Sequence, residues 1–125
     1  MSLQSALESG KCVITAEVAP LKGTDTTELI EVAELLQGRV DAANVTDQQS
    51  SVMRLGSLAT SHLLKEKGLD PVFQMTCRDR NRIALQSDLL SASVLGIENV
   101  LALTGDVPAL GDHPQAQRRR LHSYS

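Results

Sequence analysis

The chain has 125 residues, enough for one domain with a modest core, and 42% of them are apolar, which excludes a disordered polymer. Aromatic residues make up only 2%, with no Trp, so stacking platforms for single-stranded nucleic acid are largely missing, and a net charge of −3 argues against a nucleic-acid or anionic-membrane partner. Cys12 and Cys77 fit no zinc spacing, no apolar run reaches about 18 residues, and no signal-like segment opens the chain, so the expectation is a cytoplasmic protein with free thiols.

The run CVITAEV (12–18) reads as a first strand carrying Glu17 near its end. A carboxylate there is partly desolvated, which suits it to donate a proton; the alternative is a solvated acid paired with Lys22. Asp25 and Glu28 resemble a capping box for a helix whose apolar face is Leu29, Val32, Ala33 and Leu36, closed by Gly38. VDAANVT (40–46) is a second strand ending at Thr46. Leu55, Leu58, Ala59 and Leu63 then form one face of a second helix, with Lys65 and Lys67 in its last turn and Gly68 closing it.

VFQMTC (72–77) is a third strand, containing Gln74. It runs into TCRDRNR, a helix start in which Asp79 is the expected cap and Arg78, Arg80 and Arg82 face solvent or a phosphate. The helix carries Leu85, Leu89 and Ala92 on one face and closes at Gly96. NVLALT (99–104) is the fourth strand, and its exit loop holds Gly105, Asp106 and then GDHP (111–114). Gly105 lets backbone approach a ligand closely, with Asp106 directly behind it; a plain Gly-Asp turn is the alternative. Asp106, Asp112 and His113 lack a second His or Cys at ligand spacing, so no metal site is expected.

The strands do not alternate cleanly, which favours a parallel sheet buried on both faces. Their polar ends, Glu17, Thr46, Thr76 and Thr104, recur about every 30 residues, the length of a βαβ unit. The order β-α-β-α-β-α-β with polar strand ends favours a (β/α) barrel, whose ligands bind at that end, without excluding a doubly wound sheet. A full barrel needs eight such units; four strands and three helices amount to half.

Taken together, TAEVAP with Glu17, VT at Val45–Thr46, QMTCRDRNRIALQSDLL (74–90) and LGIENVLALTGDVPALGDHP (95–114) resemble the methylenetetrahydrofolate reductase family over about residues 11–117. The resemblance implies an α/β fold, the truncated first half of a TIM-type (β/α)8 barrel, with FAD at the C-terminal mouth and NADH or NADPH as reductant. It implies reduction of 5,10-methylenetetrahydrofolate to 5-methyltetrahydrofolate, in one-carbon and methionine metabolism. Glu17 matches the family's acid that protonates the folate nitrogen leaving the methylene carbon, and Asp106 its acid beside flavin and pterin. Both are therefore expected to be catalytic and substrate-binding, and Thr46, Gln74, Thr104, Gly105 and Asp106 to be cofactor-binding.

Three positions depart from the common family pattern. Gln74 stands where many members have His, and it hydrogen-bonds without titrating. Thr104 stands where many have Arg, which removes a charged cofactor contact. Leu21 stands where a proline is common, leaving the first loop less rigid. The ending RRRLHSYS does not resemble the family's continuation. The expectation is therefore a partial barrel over 1–117 and a non-homologous tail over 118–125, produced by a frameshift, a mis-called gene or a disrupted gene copy.

The expected partners are a folate substrate, no nucleic acid and no membrane. Full-length family proteins are expected to be homo-oligomers, and this chain to self-associate through its sheet edges. The alternative function is an inactive remnant or interaction fragment of such a reductase. A pterin-binding methyltransferase barrel would lack the LTGD and GDHP pair and need no flavin.

Overall fold

The structure is a computed structural model that describes residues 2–117; the segment 118–125, where the non-homologous tail is expected, lies outside the described residues. A short helix α1 (Leu3–Glu8) precedes β1 (Thr15–Val18), α2 (Thr27–Leu36), β2 (Ala42–Val45), α3 (Ser57–Glu66), β3 (Pro71–Thr76), α4 (Arg82–Val94) and β4 (Asn99–Leu103). Single 3-10 turns at Gln49–Ser51 and Pro108–Leu110 interrupt the loops after β2 and β4.

All strand pairs are parallel, and the sheet order is β1-β2-β3-β4. Each strand reaches its neighbour through a helix, and the order never reverses as it must in a doubly wound sheet. This is the α/β arrangement of the first half of a TIM-type barrel.

Alternation along the strands sorts the side chains between two faces. On one face, Val18, Ala43 and Val45 pack with Leu29 and Ala33 of α2 and Leu64 of α3, while Phe73 and Met75 pack with Ala92 of α4 and with Ile97. On the other, the register sets Glu17 beside Asn44, Asn44 beside Val72, and Gln74 beside Leu101. Gly68 ends the turn after α3 at φ 84°, a left-handed conformation that glycine adopts without a Cβ clash.

Several local expectations are corrected. The helix α1 has no periodic apolar signal. It is held instead by Ser2, whose side chain accepts the Ser5 amide, and by Asp70, which accepts the Leu3 amide at 2.8 Å. Asp25 does not cap α2 in a box with Glu28; it accepts from the amide and hydroxyl of Thr27 in a local turn, and Thr26 stands at the cap position. Helix α4 is capped by Asn81, whose side chain accepts the Ala84 amide at 2.9 Å, and not by Asp79, which faces Arg78.

The buried face of α3 is Ser57, Thr60, Ser61 and Leu64. The expected face of Leu55, Leu58, Ala59 and Leu63 is only partly covered, Ala59 is exposed, and Leu55 precedes the helix. Small hydroxylic residues let α3 lie close on the sheet. Ser57 Oγ donates to the Gln74 carbonyl (2.8 Å) and Thr60 Oγ1 to the Gly56 carbonyl (3.1 Å), so most of the polarity is satisfied within the contact. Leu89 is also exposed, together with Ile83, Leu90 and Val94 of α4.

Candidate active site

The C-terminal ends of the four strands open into a cavity of about 320 Å³. Glu17 comes from β1, Thr46 follows β2, Gln74 and Thr76 come from β3, and Thr104, Gly105 and Asp106 follow β4; all line this space. The six residues singled out in the sequence thus converge on one cavity. Asp47, Gln48 and Arg78 share its wall and were not singled out as members of the site.

Glu17 is exposed, which corrects the expectation of partial desolvation. The reason is its place on β1, a strand paired on one side only among the described residues. Its alternative partner is engaged elsewhere, since Lys22 Nζ lies 3.5 Å from Asp112. Thr46 is buried, and its Oγ1 has no hydrogen-bond partner among the described residues. A buried hydroxyl without a partner is costly in a folded chain and marks a place where a ligand can supply the missing bond. Gly105, at φ 80°, sits where an added Cβ would come within 3.2 Å of Thr76 and Arg78 side-chain atoms. Any other residue would crowd those side chains and strain the backbone.

Beneath the cavity lies an ionic network. The Asp47 carboxylate, with a fully buried side chain, accepts the Thr76 amide (2.8 Å) and hydroxyl (3.0 Å) and pairs with Arg80, which also reaches Asp88 at 2.9 Å. Burial works against the charged Arg80 guanidinium, but hydrogen bonds and charge from Asp47 and Asp88 outweigh it, and its pKa is raised. Arg78 is buried too. It donates to Asp79, to the Asp106 carbonyl (3.2 Å) and to the Gln48 carbonyl (3.5 Å). Of the three arginines read as facing solvent or phosphate, two are therefore spent on tying the loops after β2, β3 and β4 together. The one visible signal for Asp47 was an acid directly after a strand end, in VTDQQ, upstream of an Arg-rich strand exit.

The loop after β2 has an unusual backbone. Gln48, Ser50 and Ser51 all have positive φ, at 50°, 58° and 58°. Two carboxylates of the loop after β4 hold it: Asp106 Oδ2 accepts the Ser50 amide at 3.1 Å, and Asp112 accepts the Met53 amide at 3.0 Å. Gly111 makes the approach possible, since a Cβ there would lie 1.8 Å from the Ser51 carbonyl oxygen. Asp112 also accepts from His113 Nδ1 at 3.0 Å. The His113 and Met53 donors bring its pKa down to about 2. Asp112 and His113 are thus paired with each other, while Asp106 is engaged separately by Ser50.

Among the described residues no helix is long and apolar enough to cross a membrane. No curated protein matches the chain. Residues 2–124 match the family model described as Methylenetetrahydrofolate reductase.

Proposed function

The chain belongs to the methylenetetrahydrofolate reductase family, and from that premise we propose that its strand-end cavity is the flavin- and folate-facing wall of a reductase acting on 5,10-methylenetetrahydrofolate. In this reading NADH or NADPH is the reductant, FAD the cofactor and 5-methyltetrahydrofolate the product. The observation that carries it is the convergence of Glu17, Thr46, Gln74, Thr104, Gly105 and Asp106 on one cavity beside an unpartnered Thr46 hydroxyl.

These residues fit a flavin. Thr46 offers a hydroxyl without a partner among the described residues, Gln74 a carboxamide with both donor and acceptor, and Gly105 a backbone without a Cβ. FAD, when bound, supplies a two-electron hydride carrier between the nicotinamide and the one-carbon unit. Glu17 gives the departing folate nitrogen its proton as the bond to the methylene carbon breaks, once bound ligand covers the carboxyl that is exposed in the ligand-free chain, and solvent restores that proton after product leaves. Asp106 accepts hydrogen bonds from the pterin N–H groups and so fixes the ring against the cofactor. Arg78 holds the Asp106 backbone in place through its carbonyl.

The test is anaerobic NAD(P)H-dependent formation of 5-methyltetrahydrofolate by the FAD-supplemented chain, with Glu17→Gln alongside. Turnover in the parent chain with a loss of about 100-fold or more in the variant is expected. Folate affinity unchanged within about threefold would assign Glu17 to proton transfer and not to binding. Equal turnover in the two proteins would refute the assignment of Glu17.

A further inference from the structure

We propose that Ser50 is a positioning residue for Asp106: the strained loop after β2 fixes one oxygen of that carboxylate so that the other stays free for the ligand. The inference deepens the reading of Asp106 as the folate-binding acid and rests on it. Asp106 Oδ2 accepts the Ser50 amide at 3.1 Å, and Oδ1 has no donor among the described residues. The Asp106 carbonyl is fixed independently, by Ser51 Oγ at 3.1 Å and Arg78 Nη1 at 3.2 Å. Backbone and side chain of one residue are therefore both tied to neighbouring loops, which removes the rotamer freedom an exposed aspartate otherwise keeps.

The loop does not adopt this shape for its own sake. Left-handed backbone at Gln48, Ser50 and Ser51 is unfavourable for residues with a Cβ and persists only where the surroundings enforce it. What enforces it here is the loop after β4, through Asp106 on the Ser50 amide, Asp112 on the Met53 amide and Gly111 against the Ser51 carbonyl. The loop and the carboxylate constrain each other, and the geometry of Asp106 depends on a segment 56 residues earlier in the chain.

The test uses the 125-residue chain and two readouts. Amide hydrogen exchange followed by NMR is expected to show Ser50 protected about tenfold more in the parent than in Asp106→Ala, the effect of one hydrogen bond. Ser50→Gly keeps the N–H and adopts φ near 60° without strain, so 5-methyltetrahydrofolate affinity stays within about twofold of the parent. Ser50→Pro has no N–H and fixes φ near −65°, and affinity falls about tenfold. If the proline variant does not fold, Asp112→Ala takes its place, with faster Ser50 exchange and weaker folate binding expected. Equal Ser50 exchange in parent and Asp106→Ala overturns the proposal, and so does equal affinity across the Ser50 variants. A parent chain that binds no folate overturns the folate reading, and the exchange comparison then decides the positioning role alone.

Discussion

Arg80 reaches from the loop after β3 to the end of β2 and lays its guanidinium on the Asp47 carboxylate, with Nη1 2.5 Å from Oδ2 and Nη2 3.4 Å from Oδ1. Asp47 has no solvent-exposed side-chain area, and the Arg80 side chain is 17% exposed. A pair this deep gives little net stability over apolar residues of similar size, but Asp47 alone is a buried, uncompensated charge, whereas Arg80 alone keeps Asp88.

Asp47→Ala is expected to destabilise the fold by about 3 kcal/mol, since it takes one of two carboxylates from Arg80 and leaves the buried Thr76 amide without its acceptor. Adding Arg80→Leu should recover a substantial part of that loss. Urea unfolding of both variants and the parent checks the cycle; a double variant no more stable than Asp47→Ala would contradict it.

The Asp112 carboxyl titrates at about 2 in the folded chain against an ordinary value of 3.8. A depressed carboxylate pKa contributes stability that is present above about pH 4 and disappears as pH falls through 2. The Met53 amide accordingly exchanges a charged acceptor for a weaker neutral one in that window, visible as a change in its NMR shift and exchange rate. Asp112→Asn should abolish the pH dependence at Met53 while leaving that of other loops intact.

Thr46→Val exchanges an unpartnered hydroxyl for a methyl group. The ligand-free chain should be unchanged or up to about 1 kcal/mol more stable, because a buried unsatisfied group is removed. Flavin affinity should fall about five- to tenfold, since the hydroxyl is the group proposed to meet the cofactor. Thermal melts and flavin-fluorescence titrations measure the two effects separately.

Ile83, Leu90 and Val94 project from α4 with Val94 87% exposed, and Val100, Leu101 and Leu103 of the edge strand β4 are also uncovered. Apolar surface on this scale, beside a strand paired on one side only among the described residues, favours association. Sedimentation should show concentration-dependent self-association of the 125-residue chain, reduced by the pair Leu90→Lys and Val94→Lys. A monomer up to about 100 μM would contradict this.

The strands and helix ends were legible in the sequence for physical reasons. Val- and Ala-rich runs form the strands, but the expected burial on both faces holds for β2 and β3 only, the edge strands β1 and β4 being largely exposed, and Gly38, Gly68 and Gly96 take the left-handed backbone that ends a helical turn. The face of α3 was not legible, because hydropathy ranks Leu58 and Leu63 above Ser57 and Ser61, whereas close packing on the sheet favours the smaller side chains. The cavity-lining residues stood out as polar groups at strand ends. The support around them did not: DQQSS looks like any solvated loop, and only tertiary contacts turn Asp47 inward and drive Ser50 and Ser51 into positive φ.

The fit of Gly111 against the Ser51 carbonyl has a consequence for anyone recombining this sheet with a relative. The two loops are heritable only as a pair. A graft that brings in a foreign loop after β4 with any side chain at the Gly111 position collides with the resident loop after β2. A graft of the earlier loop alone arrives without the carboxylates that bend it. Chimeras cut between β2 and β4 should therefore fail at this joint even where each half is sound, and transplanting both segments together should restore them.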